Sequence, residues 1–188
     1  MTQRTERADA QRNREAVLAA ADALFAASSA PHDVSMDEVA AAAGVGKGTL
    51  FRRFGDRAGL IGALIEARFG PVRQAVLAAA EGASPERRVR ELLDAALRFK
   101  AENRHLMAAA ESAGLGSPYQ AGHYAWWHTT LRAALAELPA VHGPDFTAHA
   151  LLAAIRADLV VHLIDRQDET PDSLRAALAA HLDDLLGS

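Results

Sequence analysis

The chain has 188 residues, half of them hydrophobic, no cysteine and a formal net charge of −4. That length supports one compact core, or a small domain beside a medium one. The missing cysteines exclude disulfides, zinc–thiolate sites and thiol catalysis. With 44 alanines and only 5% aromatic residues, a sandwich or barrel is not expected, because strands favour aromatic and β-branched residues while alanine favours helices.

The charge is unevenly divided. Residues 1–70 carry nine basic and nine acidic groups, whereas residues 71–188 carry eleven basic and fifteen acidic groups. The front is therefore the less acidic part, and local patches rather than the sum decide phosphate attraction. Arg4, Arg7, Arg12 and Arg14 form one basic cluster, readable as a DNA-contacting arm or as a solvated tail. Lys47, Arg52, Arg53 and Arg57 form a second. The stretch from Met1 to Arg14 is polar, without the apolar run of a secretory signal. No window reaches 18 uninterrupted apolar residues, so no membrane span and a cytoplasmic location are expected.

In chain order, Arg12 to Ala27 reads as a helix, with Val17, Ala20, Ala21, Leu24 and Phe25 on one stripe. Ser28 to Asp33 contains Pro31 and reads as a loop. Ser35 with Glu38 predicts a capping box, and Val34 with Val39 a hydrophobic staple. The short second helix ends before Gly44, and a third runs over about 46–53. Asp56 is the expected N-cap of a fourth helix reaching about Phe69, with Gly70-Pro71 as a kink or stop. Ser84-Pro85, Ser117-Pro118 and Thr170-Pro171 each place a hydroxyl before a proline, a helix-start signal, and Gly143-Pro144-Asp145 marks another. Further helices are expected at about 72–81, 85–100, 102–113, 118–137, 145–166 and 171–186.

Residues 35–54 follow the plan helix, glycine turn, helix. The second of these helices is short enough to enter a major groove by its N-terminal residues. Val45, Leu50 and Phe54 are expected to face inward. Lys47, Gly48, Thr49, Phe51, Arg52 and Arg53 remain outside, where Gly48 leaves room for close backbone approach and the basic groups reach phosphate or guanine.

Over residues 12–69 this pattern resembles the TetR/AcrR family of bacterial transcriptional regulators. The match runs through Ala-Asp-Ala-Leu-Phe, Val-Ser-Met-Asp-Glu-Val-Ala-Ala-Ala-Ala-Gly-Val-Gly-Lys-Gly-Thr-Leu-Phe-Arg-Arg-Phe and Gly-Asp-Arg-Ala-Gly-Leu. The resemblance implies an all-α homodimer of about nine or ten helices per chain. Residues 1–70 would be a three-helix DNA-binding head, and 71–188 a larger effector-binding and dimerisation domain. It implies a double-stranded, palindromic DNA operator as partner, and repression relieved by a small molecule. Alternatives are an activator, a ligand-independent regulator, or a helical ligand-binding protein or enzyme carrying such a head. The DNA-contacting pattern falls on Lys47, Gly48, Thr49, Phe51, Arg53 and Arg57, with Ser35 and Arg52 beside it. The chain departs from the family at Gly46 (usually Ser or Thr), Phe51 (Tyr), Arg53 (His) and Arg57 (Lys).

The C-terminal part offers an aromatic helix. Tyr119, His123, Trp126, Trp127 and Thr130 share one face at helical spacing, and Tyr124 lies beside them. Such a face reads either as the wall of a cavity for an apolar or aromatic effector or as a core or interface stripe. His105, His123 and His162 are the candidate polar contacts, and Tyr124, Trp126 and Trp127 the candidate walls. Asp158 and His162 could form a salt bridge, a cavity wall or a dimer contact. Apolar stripes on the last two helices, including Leu151, Leu152, Ile155, Leu159, Leu163, Leu174, Leu178, Leu182 and Leu185, are the expected dimer face. No phosphate loop or nucleophile elbow occurs. The eight histidines show no i, i+4 pair, so no catalytic residue, metal site or cofactor is expected.

Overall fold

The computed structural model describes residues 2–28, 33–113, 119 and 122–186. The loop at 29–32 and the Ser117-Pro118 start lie outside the described residues, as do the side chains of Arg4 and Arg7. Ten α-helices and no strand occur among the described residues: α1 Thr2–Ala27, α2 Met36–Ala42, α3 Lys47–Phe54, α4 Arg57–Ala80, α5 Pro85–Glu102, α6 Arg104–Ser112, α7 Gly122–Leu135, α8 Pro144–Ala154, α9 Ala157–Arg166 and α10 Pro171–Leu186.

The chain divides into two compact units, Met1–Arg68 with His105–Leu115, and Phe69–Arg104 with Gly116–Ser188. In the first unit α1 packs on α2 and α2 on α3, and Val17, Leu18, Ala21 and Phe25 of α1 are buried, as are Val39, Leu50, Leu60, Ile61, Leu64, Leu106 and Ala109. The expected capping box is present. Ser35 Oγ accepts from Glu38 N–H at 3.2 Å, and Glu38 Oε2 accepts from Ser35 N–H at 2.8 Å. Val34 and Val39 are both buried, as a staple requires. Gly44 closes α2 at φ 64°, a left-handed conformation that glycine adopts without a Cβ clash. Asp56 caps α4 by accepting from Gly59 N–H at 2.8 Å.

In the second unit α5 packs against α7, α9 and α10, and α7 against α8. Val89, Leu92, Leu93, Leu97 and Phe99 supply the buried face of α5. Asp94 on α5 receives Arg175 of α10 at 2.6 Å, and Arg90 pairs with Asp183 at 2.6 Å. Thr170 Oγ1 caps α10 by accepting from Ser173 N–H at 3.1 Å.

Four expectations change. Helix α1 begins at Thr2 rather than Arg12, so the first basic cluster rides on a helix. Helix α4 continues through Pro71 to Ala80 instead of stopping at Gly70-Pro71. The aromatic helix α7, Gly122–Leu135, ends at Leu135 rather than at 137, and its expected start at 118 lies outside the described residues. The helix expected at 145–166 is two helices, broken at Ile155 and Arg156. There Arg156 adopts φ −56°, ψ 147°, outside the helical region, and the Ile155 carbonyl accepts from Lys100 Nζ at 2.7 Å. The stretch Pro144–Arg166 is 23 residues with a mean hydropathy of 1.5 in its most apolar window, long and apolar enough as one helix to span a bilayer. Split into helices of 11 and 10 residues, neither piece is.

Candidate functional site

Helix α3 is held from below by Leu50, which is fully buried, while Val45 and Phe54 are half-buried. The opposite side presents Lys47, Gly48, Phe51, Arg52 and Arg53, all exposed, with Thr49 half-exposed at its edge. A Cβ placed on Gly48 would meet nothing within 4 Å, so this turn is open to an incoming backbone. Gly46 caps α3 without a side-chain hydrogen bond. Thr49 N–H, one of the groups that a Ser or Thr side chain would cap, donates instead to the Gly46 carbonyl at 2.9 Å.

The basic groups differ in how committed they are. Lys47 Nζ lies 2.7 Å from Asp37 of α2, both side chains 61% exposed, and 6.0 Å from the Phe51 ring centroid. An exposed pair of this kind is worth little and can exchange partners. Arg53 donates to the Ala10 carbonyl of α1. Arg52 is exposed, with no partner among the described residues. Arg57 stands apart from the expected set. It is half-buried, its Nε donates to the Val34 carbonyl at 3.0 Å and its Nη1 to the Ala109 carbonyl at 3.4 Å, and its guanidinium lies 5.5 Å from the Phe25 ring centroid. Its donors are thus engaged inside the unit, where the guanidinium reaches carbonyls from two separate segments. Ser35 is likewise engaged as the α2 cap, and its hydrogen bonds hold the Glu38 carboxyl below the usual range.

Gly59 has a structural reason that spacing alone could not reveal. A Cβ at this position would come within 2.0 Å of the Phe54 carbonyl oxygen. The close approach of α4 to the end of α3 needs a residue without a side chain.

The aromatic face of α7 separates into two sides. Phe69 is buried, and around its ring lie Phe99, His123, Trp126 and Trp127 at centroid distances of 5.7, 6.1, 5.3 and 5.4 Å. These are edge and tilted contacts of a packed cluster. Trp127 is 3% exposed, and its buried Nε1 has no hydrogen-bond partner among the described residues. The other side carries Tyr124 and His128 and faces α8 across an open groove of about 660 Å³ lined by Tyr119, Phe146 and His149 as well. A second groove, about 560 Å³, runs between the Pro71–Ala79 part of α4 and α5, with Val72, Val76 and Phe99 as apolar walls and Asp94 and Arg98 at its edge.

The expected effector residues therefore do not form one lining. His123, Trp126 and Trp127 belong to the Phe69 cluster, and Tyr124 to the α7–α8 groove. His105 lies in the first unit. His162 is exposed on α9, within 3.2 Å of the Gln167 side chain. Asp158 pairs with Arg156 at 2.7 Å rather than with His162, and that partner holds its carboxyl low.

Residues 17–64 match the family model described as bacterial regulatory proteins, tetR family. No curated protein matches the sequence significantly. Among solved structures, the fold is similar to a putative TetR-family transcriptional regulator from Rhodococcus sp., with a TM-score of 0.71, 21% identity and coverage of 93% of this chain and 98% of that one. It is also similar to a TetR transcriptional regulator from Rhodococcus sp. RHA1, with a TM-score of 0.60, 25% identity and coverage of 96% and 98%. A third similar structure is NalD, the secondary repressor of the MexAB-OprM multidrug efflux pump in Pseudomonas aeruginosa, with a TM-score of 0.61, 19% identity and coverage of 95% and 97%. The exposed basic face of α3 thus belongs to a tetR-family DNA-binding domain, and the chain that carries it is a DNA-binding transcriptional regulator.

Proposed function

We propose that this regulator is a repressor that binds a palindromic operator as a homodimer and leaves it when a small apolar or aromatic molecule binds the second unit. The observation that carries the reading is the α3 surface: Lys47, Arg52 and Arg53 exposed around an open Gly48, above a buried Leu50. Lys47, Arg52 and Arg53 would meet phosphate or guanine, Thr49 and Phe51 would meet base edges or thymine methyl groups, and Gly48 would admit the DNA backbone. Arg57 and Ser35 would support this face from within rather than touch DNA. A single head reads one half-site, so two heads on successive major grooves, about 34–36 Å apart, multiply the contacts. The similarity to NalD, a repressor by its own description, favours repression over activation.

The effector would enter the groove between α4 and α5. Its wall residue Phe99 packs on Phe69, and Phe69 on both tryptophans. Occupancy there would shift the population toward a head spacing that no longer fits two grooves. The test is selection of duplexes from a random pool by the purified chain. The expected result is enrichment of two inverted half-sites about one helical turn apart. A pool that stays random overturns the reading.

A further inference from the structure

The densest group of metal-ligating side chains among the described residues lies on α7 and α8, away from α3. His128 of α7, with Asp145 and His149 of α8, each offer a ligand atom, and the three atoms lie within 4.8 Å of one another. Asp145 and His149 stand at i, i+4, so they share one face of α8. His128 comes from the facing helix, with Nε2 3.4 Å from Asp145 Oδ1 and its ring 3.9 Å, centroid to centroid, from that of His149. Tyr124, one turn before His128, places its hydroxyl 2.6 Å from His149 Nδ1.

Two imidazoles and one carboxylate suit zinc and its first-row neighbours, whereas magnesium and calcium prefer an all-oxygen set. With metal–ligand bonds of about 2.0–2.2 Å, tetrahedral donors sit roughly 3.3–3.5 Å apart. The His128–Asp145 pair already has this separation. Rotation of the exposed Asp145 and His149 side chains closes the rest. A metal-bound imidazole is held by a partner on its other nitrogen. With an ion on His149 Nε2, the Nδ1–H donates to the Tyr124 hydroxyl. The positive end of α8 opposes a cation here, and Asp145 in its first turn offsets it.

We propose that His128, Asp145 and His149 bind a transition-metal dication of the zinc class, with Tyr124 positioning His149 and the fourth position open to water or an added ligand. The site stands independently of operator binding, and its test uses no DNA. The untagged full chain, stripped by a chelator, is titrated with Co²⁺, followed by its visible d–d absorption, and with Zn²⁺ in competition with a chromophoric chelator. The expected result is one equivalent per chain, with Zn²⁺ displacing Co²⁺. His149→Ala and Asp145→Asn alter exposed side chains, so both fold. His149→Ala lowers affinity about 100-fold or more, and Tyr124→Phe about 10-fold. His181→Ala on α10 leaves it unchanged. Zn²⁺ raises the melting temperature of the parent but not of His149→Ala. Absence of saturable one-equivalent binding in the parent, or equal affinity in the parent and His149→Ala, overturns the proposal.

Discussion

Arg57 opens α4, three residues after the end of α3. Its place beside the basic cluster suggests phosphate contact. The structure instead turns it toward the Val34 and Ala109 carbonyls, contributed by segments 23 and 52 residues away. No local spacing encodes such partners. Truncating it removes the donor to the Val34 carbonyl, while the Ala109 carbonyl keeps Ala113 N–H at 3.0 Å, and hydrogen bonds to a charged group contribute about 1.5–3 kcal/mol. Arg57→Ala is expected to lower stability by roughly 2–3 kcal/mol in denaturant titration. The salt dependence of DNA binding by the folded fraction should stay at the parent value. A folded Arg57→Ala protein of parental stability with a reduced salt slope would return Arg57 to the DNA-contacting set. Gly59 makes a similar point. Its Cβ would overlap the Phe54 carbonyl oxygen, which belongs to the backbone and cannot rotate away. Gly59→Ala is expected to destabilise the protein by several kcal/mol, on the order of the largest single-site effects. Gly48→Ala, in open space, should cost little stability. Equal melting temperatures for the two variants would contradict the packing described.

At the level of elements, local signals held where both partners lie within one turn. The Ser35–Glu38 box and the Asp56 and Thr170 caps are all of this kind. They failed where a distant partner decides. Nothing in Ile155-Arg156-Ala157-Asp158 breaks a helix by itself. The break exists where Lys100 of α5 takes the Ile155 carbonyl, and Arg156 and Asp158 pair across the new helix start. Pro71 gives the opposite case, a local stop overridden within α4. The aromatic face was legible as a face. Its division into core and groove depends on Phe69, more than fifty residues earlier in the chain. The His128, Asp145 and His149 cluster was hidden because its helical pair mixes Asp with His and its third member sits on another helix.

Lys100 gives the α8–α9 break a measurable signature. Burial pushes its ammonium down to about 8, with Asp158 opposing and Arg156 adding to the shift. The unfolded chain keeps the ordinary value of 10.5. Below pH 8 both states hold the proton and the burial cost is fully present. Between pH 8 and 10.5 the unfolded state holds more protons, so this group makes stability rise with pH. The interval corresponds to about 3 kcal/mol, an upper figure for one buried amine. Lys100→Met is expected to lack this rise in denaturant titrations at pH 7.5 and 10. A parallel pH dependence in parent and variant would remove Lys100 as its source.

For the whole molecule, the proposed homodimer would rest on the last three helices. Leu151, Leu152, Ile155, Leu178 and Leu182 of the expected dimer stripe are buried within the chain. Leu159 at 39% and Leu185 at 41% remain exposed, with Leu163 and Leu174 half-exposed. Only 28% of the most apolar window of Pro144–Arg166 is buried. Such surface favours a second copy as its cover. The double variant Leu159→Asp with Leu185→Asp is expected to sediment as a monomer at micromolar concentration, where the parent sediments as a dimer. A monomeric parent would contradict this.

Helix α3 is proposed to present a phosphate-binding surface made of Lys47, Arg52 and Arg53. The measurement closest to it is the slope of log affinity against log salt concentration for a DNA duplex, taken for the parent and for each single alanine variant. Each lost phosphate contact lowers that slope by about one and weakens binding across sequences. Such a drop is expected in all three variants, with unchanged melting temperatures. Parental slopes in all three would contradict it.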